Sequence, residues 1–471
     1  MTPNSNHLMC LTMKNIYRIA MTLAACFASF MPTVAQHTES GFFNENYVYR
    51  YQMNPAIENR GFFISMPALG NLDMSLNGTL NLKDFIYNVD GKTTTFMNPK
   101  ISAEEALDGF KDMNRIGTDV KVGVLAVGFK GFGGYNTLTV NARANVQTRL
   151  PYEVFSILKE GPTNKTYDIA DMGARGTVWA EVGISHSHSL DKFVKGLRIG
   201  AGMKVLVGGA DVAAHFNKAQ LTFSDETWSL TNDAYIEASM KGLTYEHDFN
   251  DNTNREYVSG VDVDNTGING YGVAFDFGAQ YKLGKDWEFD LSFVDLGFIN
   301  WKNNMLATTN GEQTVRTSDF IFSPDDHAAN SFEDELDRMA DDLSLLYELD
   351  DAGDQGKRKT TLGATMYAGA KYSLPVYRKL SFGVLNTTRI QGEYSWTDFR
   401  FSANIAPCKV LSASINYGVG TFGSTFGWIF NFHPKGFNLF LAQDYTLGKL
   451  AKQGVPLTSN ASVNLGVNLL F

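Results

Sequence analysis

The sequence predicts an all-β protein: a transmembrane antiparallel β-barrel of about fourteen strands (roughly twelve to sixteen), with an N-terminal plug segment and short loop helices. Three observations carry this. The last residues alternate without a break, with Ala461, Val463, Leu465, Val467, Leu469 and Phe471 on one side and Ser462, Asn464, Gly466 and Asn468 on the other. Strand side chains project to opposite faces with period two, so this segment has one face for lipid and one for a polar interior. The aromatic load, 34 Phe, 20 Tyr and 6 Trp, is enough for a lipid face and interfacial girdles. Finally, no stretch beyond the leader reaches the eighteen or so apolar residues of a membrane helix, and a mean hydropathy of −0.17 suits a wall in which only alternate residues meet lipid.

Taken in chain order, residues 1–35 read as a signal peptide. Lys14 and Arg18 precede an apolar stretch at 19–31, and small Thr33 and Ala35 stand just before Gln36. Cleavage is expected after Ala35, and Met13 could serve as initiator. The rival reading takes Leu23-Ala24-Ala25-Cys26 as a lipoprotein processing site, although the apolar run continues to Met31. Residues 36–60 are not cleanly strand-like and contain Tyr47, Tyr49, Tyr51 and Asn54-Pro55-Ala56, so they are expected to form a plug. Pro55 fixes its own φ and biases Asn54 towards extended geometry, letting the chain thread a narrow space without ladder bonds.

The barrel is expected over 61–471. Alternation starts at Leu72, and at 138–150 it sets Leu138, Val140, Ala142 and Ala144 against Thr139, Asn141, Arg143 and Asn145, whose side of the strand should line a wet lumen. Further strands are predicted at 177–186, 197–207, 271–283, 287–298, 360–373, 379–390, 394–405, 410–420, 426–432, 437–445 and 459–471. Weaker signals lie at 120–129, 221–230 and 236–245. Helices are expected at 102–113, where Ser102 and Glu105 form a capping pair, and at 331–349, where Phe332, Leu336, Met339, Leu343 and Leu346 recur at helical spacing in an acidic loop. Short links near 284–286, 374–378 and 434–436 alternate with long ones at 246–270 and 300–359, as short periplasmic turns alternate with external loops.

Composition narrows the function. Loss of Lys14 and Arg18 with the leader leaves 38 basic against 50 acidic residues, net −12, which argues against nucleic-acid binding. Only Cys408 survives, so neither a disulfide nor a cysteine metal site is expected. Asp262-Val263-Asp264-Asn265-Thr266-Gly267 imitates the start of a calcium loop, but its twelfth position is Val273 rather than Glu. His186 and His188 share a strand face without a third ligand nearby in sequence. No cofactor or metal is expected. There is no Gly-x-Ser-x-Gly, His-Glu-x-x-His or P-loop, so an enzyme is not expected. Candidate ligand-binding groups are Arg143, Arg149 and Arg400, whose guanidinium forks could hold the carboxylate of an amphipathic molecule; the alternative is that they pair with lumen acids such as Asp276, Glu288 and Asp290.

The run Tyr47-Val48-Tyr49-Arg50-Tyr51-Gln52-Met53-Asn54-Pro55-Ala56, followed by Ser65-Met66-Pro67-Ala68-Leu69-Gly70-Asn71 and closed by Phe471, resembles a family of uncharacterised outer-membrane barrels of Bacteroidota type. That family is similar to the long-chain fatty-acid transporter-like barrels. The resemblance implies fourteen strands, an Asn-Pro-Ala hatch (Asn54, Pro55, Ala56) inside the lumen, and passage or capture of a small hydrophobic or amphipathic molecule. Another relative serves in protein secretion, so the alternative is a structural or secretion-accessory barrel that docks a partner protein. Expected partners are outer-membrane lipid and the barrel assembly machinery. Leu465, Val467, Leu469 and Phe471 would form the insertion signal. Deleting Phe471 should lower the folded fraction in membranes, read by heat-dependent gel mobility; normal insertion would refute that role.

Overall fold

The computed structural model describes residues 38–59, 61–161, 163–224, 228–250, 254–309, 311–316, 348–446 and 460–471. The signal peptide and nearly all of the expected 331–349 helix lie outside the described residues. Fourteen staves close into one antiparallel barrel. They are β1 (Phe63–Ser65 and Asn71–Gly78), β2 (Met113–Gly131), β3 (Gly134–Pro151), β4 (Gly173–Ser189), β5 (Leu197–Phe223), β6 (Gly270–Leu283) and β7 (Trp287–Trp301). The ring continues with β8 (Arg358–Thr361 and Ala364–Ser373), β9 (Leu380–Ile390), β10 (Trp396–Cys408), β11 (Leu411–Gly420), β12 (Gly423–Phe432), β13 (Phe437–Gln443) and β14 (Ala461–Leu470). It closes where β1 pairs with β14 through Phe63↔Leu470 and Leu72↔Leu465. Closure leaves no open edge, which a strand bundle in hydrocarbon requires.

The alternation read from the sequence recurs around the wall. Phe275, Phe277, Phe289, Leu291, Phe382, Val384, Phe399, Phe401, Ile415, Phe430 and Leu441 face outward and are exposed. An apolar belt of that extent is a lipid-facing surface. On β14, Ser462, Asn464 and Asn468 are buried inside while Val463 and Leu469 are exposed outside. The final Phe471 N–H donates to Phe62 O at 2.9 Å, sealing the last strand to the first.

Two of the weaker strand signals fall across strand ends rather than within single strands. The 221–230 signal spans the end of β5 and the start of a strand at Trp228–Met240, and the 236–245 signal spans the end of that strand and the start of Leu243–Asn250. Gly242 there sits at φ +75, the left-handed geometry of a tight turn, which alternation of neighbouring side chains does not reveal. β5 runs 27 residues, far beyond the ten or so that span a bilayer. It pairs with β6 over Leu197–Gly208 and with β4 over Arg198–His215, while Trp228–Met240 pairs with its second half from Ala210 onward. That second half therefore carries the sheet above the membrane, where Met305–Thr308 and Gln313–Arg316 extend it.

The short turns after β2, β6, β10 and β12 lie at the end where Phe63 meets Leu470, and the long connections lie at the other end, named the external end for the expected pattern of long outer loops. The helix expected at 102–113 is confined to Ala103–Leu107, with Ser102 Oγ accepting the Glu105 N–H at 3.1 Å. A helix at Tyr152–Glu160 follows Pro151, and both pack over the external end of β2 and β3, the first through Ala106 and Leu107 and the second through Phe155, whose ring stacks on Phe110 with centroids 4.1 Å apart.

Candidate functional site

The inner face of the barrel is polar, as the alternation at 138–150 predicts, but it is covered by protein rather than open to water. Asn141, Asn145 and Gln147 are buried, and Asn141 donates to Glu181 at 2.9 Å while Asn145 donates to Asp119 at 2.6 Å. Much of the cover is residues 38–59, which lie inside the staves. Phe42, Phe43, Tyr47, Tyr49, Tyr51 and Met53 form one buried cluster with Phe63, Tyr135, Tyr367 and Phe440 of the wall. The packing is edge-on where Tyr47 meets Phe440, with centroids 4.9 Å apart.

Among the described residues, every backbone-to-backbone hydrogen bond of this segment is local, in two 3-10 turns (Glu39–Gly41 and Arg50–Gln52) and the turns around them. It is held to the wall by side chains. At its start, the Glu39 and Ser40 N–H groups donate to the Asp444 carboxylate at 3.0 and 2.6 Å. Glu39 Oε2 accepts from Arg400 Nε at 2.6 Å, and Ser40 Oγ accepts from Asn416 at 2.8 Å. Midway, Tyr49 donates to Asn468 at 2.6 Å and Gln52 accepts from Lys121 at 2.7 Å. Near its end, Arg198 pairs with Glu58 at 2.6 Å.

Asn54-Pro55-Ala56 has a built seat. Asn54 Nδ2 donates to Asp290 Oδ1 at 3.0 Å and to Ala279 O at 3.1 Å, while its Oδ1 accepts the Ala56 N–H at 3.0 Å. Ser292 Oγ donates to Met53 O at 2.6 Å. Beneath the motif, Gly200 of β5 stands opposite Gly278 of β6. A Cβ at Gly278 would lie 2.1 Å from Asn54 Oδ1, and one at Gly200 would lie 2.2 Å from the Pro55 carbonyl carbon. The flat patch made by two paired glycines is what lets the segment's backbone rest on the wall. Sequence reasoning passed over both residues, although glycine on the inward phase of a strand signals close backbone approach.

The three candidate arginines are not brought together. Arg143 bridges Glu181 at 3.3 Å and Asp295 at 2.8 Å with its guanidinium over the Trp179 ring. Arg149 pairs with Glu393. Arg400 pairs with Glu39 and, at 2.9 Å, with Asp398. Asp295 also holds Lys204 at 2.6 Å, and Lys204 reaches Asp276 at 2.8 Å. This network depends on a bulge in β7 that puts Asp295 at φ +61. Of the lumen acids named as partners, Asp276 meets Lys204, Asp290 meets Asn54, and Glu288 meets Arg50 at 3.4 Å and Lys371 at 3.3 Å.

The external mouth has its own brace. The β9–β10 turn at 391–395 crosses to the opposite wall, where Ser395 O accepts from Arg115 at 2.6 Å, Gln391 donates to Asn145 at 3.2 Å, and Glu393 meets Arg149. Below it, Arg389 pairs with Asp119 at 3.1 Å. The calcium-like run at 262–267 opens in a strand, with Asp262 paired to Thr244, so its first donor is not in a coordinating loop. His186 and His188 lie with ring centroids 5.8 Å apart, and His186 Nδ1 is 3.0 Å from Asn136 Oδ1.

Residues 55–444 match a family described as a family of unknown function (DUF5723). The chain belongs to that family. No curated protein matches it. Among solved structures, the Pseudomonas putida toluene transporter TodX is similar at 9% identity, covering 93% of each chain with a TM-score of 0.37. A Pseudomonas aeruginosa FadL homologue is similar at 9% identity over 93% of this chain and 96% of its own, TM-score 0.35. The translocator domain of the autotransporter NalP from Neisseria meningitidis is similar at 8% identity over 88% of this chain and 90% of its own, TM-score 0.32. At these values the likeness carries no function from one protein to the other.

Proposed function

We propose that the protein is an outer-membrane barrel that passes or captures a small hydrophobic or amphipathic molecule, with residues 36–60 as a displaceable plug. The observation that supports this is that, among the described residues, the backbone of 38–59 makes backbone-to-backbone hydrogen bonds only with itself. A stave shares ladder bonds with both neighbours, whereas this segment can shift by exchanging side-chain contacts. The aromatic cluster between plug and wall supplies the apolar surface on which such a molecule would bind, at about 25 cal/mol per Å² removed from water.

Arg400 differs from Arg143 and Arg149 in pairing with an acid of the plug itself, Glu39. Withdrawal of Glu39 would turn one edge of the Arg400 fork towards a ligand carboxylate. Asn54, Pro55 and Ala56 serve as the hinge on the glycine seat.

A disulfide lock tests the displacement directly. Ser40 Oγ and Asn416 Nδ2 are 2.8 Å apart, so Ser40→Cys with Asn416→Cys, in a Cys408→Ser background, puts two thiols close together, and loss of free thiol on oxidation verifies the bridge. Uptake of a fluorescent fatty acid by proteoliposomes should stop when oxidised and return on reduction. Equal uptake in both states removes the plug from the proposal. Independently, Pro55→Gly is expected to change the uptake rate several-fold with the barrel intact by heat-dependent gel mobility; unchanged uptake removes the hinge.

A further inference from the structure

The geometry points to a divalent-metal site of zinc type at Asp171, His215 and Glu393, fastening the β9–β10 turn to the opposite wall at the external mouth. The three residues come from separate parts of the chain: the end of the loop before β4, the upper half of β5, and the tip of the crossing turn. One ligand atom from each lies within 4.8 Å of the other two, and His215 Nδ1 is 4.0 Å from Glu393 Oε2. Zinc bonds of about 2.0–2.2 Å place tetrahedral ligands about 3.4 Å apart. The observed spacing exceeds that by about 1.4 Å at most, which rotation of two exposed carboxylates can close.

The donor set suits the ion. One imidazole and two carboxylates are ligand types that zinc accepts, and they leave a fourth position for water. A Cβ at Gly173 would lie 2.9 Å from the Ala214 carbonyl oxygen, 3.2 Å from the Tyr394 hydroxyl and 3.3 Å from His215 Nδ1, so glycine there relieves the strand contact and keeps room beside the imidazole. The Arg149 guanidinium, paired with Glu393 Oε2, competes for the same carboxylate. Metal binding therefore exchanges one cation for another at Glu393, and the turn stays tethered either way.

Competition makes the site testable in both directions. The full chain in detergent, stripped with EDTA and dialysed, is titrated with zinc by calorimetry and with cobalt(II) by its visible spectrum. Near-stoichiometric binding is expected, with a tetrahedral cobalt band, weakened at least tenfold by His215→Ala and by Glu393→Gln. Arg149→Ala should tighten binding several-fold, an effect no loss of fold would produce. Heat-dependent gel mobility confirms that each variant is a folded barrel. Absence of stoichiometric zinc, binding unmoved by His215→Ala, or binding lost only when His186 and His188 are replaced would each overturn the assignment.

Discussion

Valine at both Gly200 and Gly278 is expected to unseat the N-terminal segment while leaving a closed barrel. The added Cβ atoms would fall about on top of Asn54 and the Pro55 carbonyl, at 2.1 and 2.2 Å. The contact at Gly200 is with backbone, which has no rotamer through which to escape. Overpacking typically costs about 1–3 kcal/mol per site where neighbours can adjust, and here the segment, held only by side-chain bonds, is the part free to move. The wall is not, since the β5–β6 ladder runs from Leu197↔Tyr281 to Gly208↔Gly270. Trypsin should then cut after Arg50, which is buried in the native state, and single-channel conductance should rise by an order of magnitude or more. A variant that remains protected and closed would show that the glycines are not the seat.

Removing Arg400 should have the second largest effect. Its guanidinium serves Glu39 and Asp398 and donates to the Asp444 carbonyl at 2.9 Å, in a buried site. Deleting one partner of a buried ion pair typically costs about 3–5 kcal/mol, about two to four orders of magnitude in the displaced fraction of the segment. Arg400→Ala should thus expose residues 38–59 to protease, whereas Arg400→Ala with Glu39→Gln should recover part of the loss.

The same site predicts a pH dependence. Burial pushes the Glu39 carboxyl up to about 7, the Arg400 charge opposing it and Asp398 and Asp444 adding to it. A carboxyl raised from 4.5 when docked favours docking fully below about 4.5, and that contribution is lost as pH rises through about 7. Protease access to the segment should rise between pH 5 and 8, and Glu39→Gln should flatten the curve. A flat curve in the unaltered protein would show that Glu39 does not titrate in this range.

The glycine seat and the acid–arginine cluster illustrate where sequence reading stops. Alternation is a local property: each strand's period of two is set by backbone geometry and is visible in ten residues, so staves such as β3, β6 and β14 were legible one by one. Long-range approach is not local. Gly200 and Gly278 face each other through ladder register, and Glu39 meets Arg400 across 361 positions of chain. The aromatic and Asn-Pro-Ala signals of 36–60 marked it as neither stave nor turn, yet nothing in them says which wall acids it meets.

By itself, then, the sequence determined the barrel class, the lipid-facing phase of its strands and the irregular character of the segment before them, because these follow from side-chain periodicity and local backbone preference. Only the tertiary structure decided which wall residues that segment meets inside the barrel, that β5 outruns the membrane, and that Arg143, Arg149 and Arg400 answer to different acids. Those outcomes depend on which residues closure of the ring brings face to face, a pairing that no stretch of chain encodes alone.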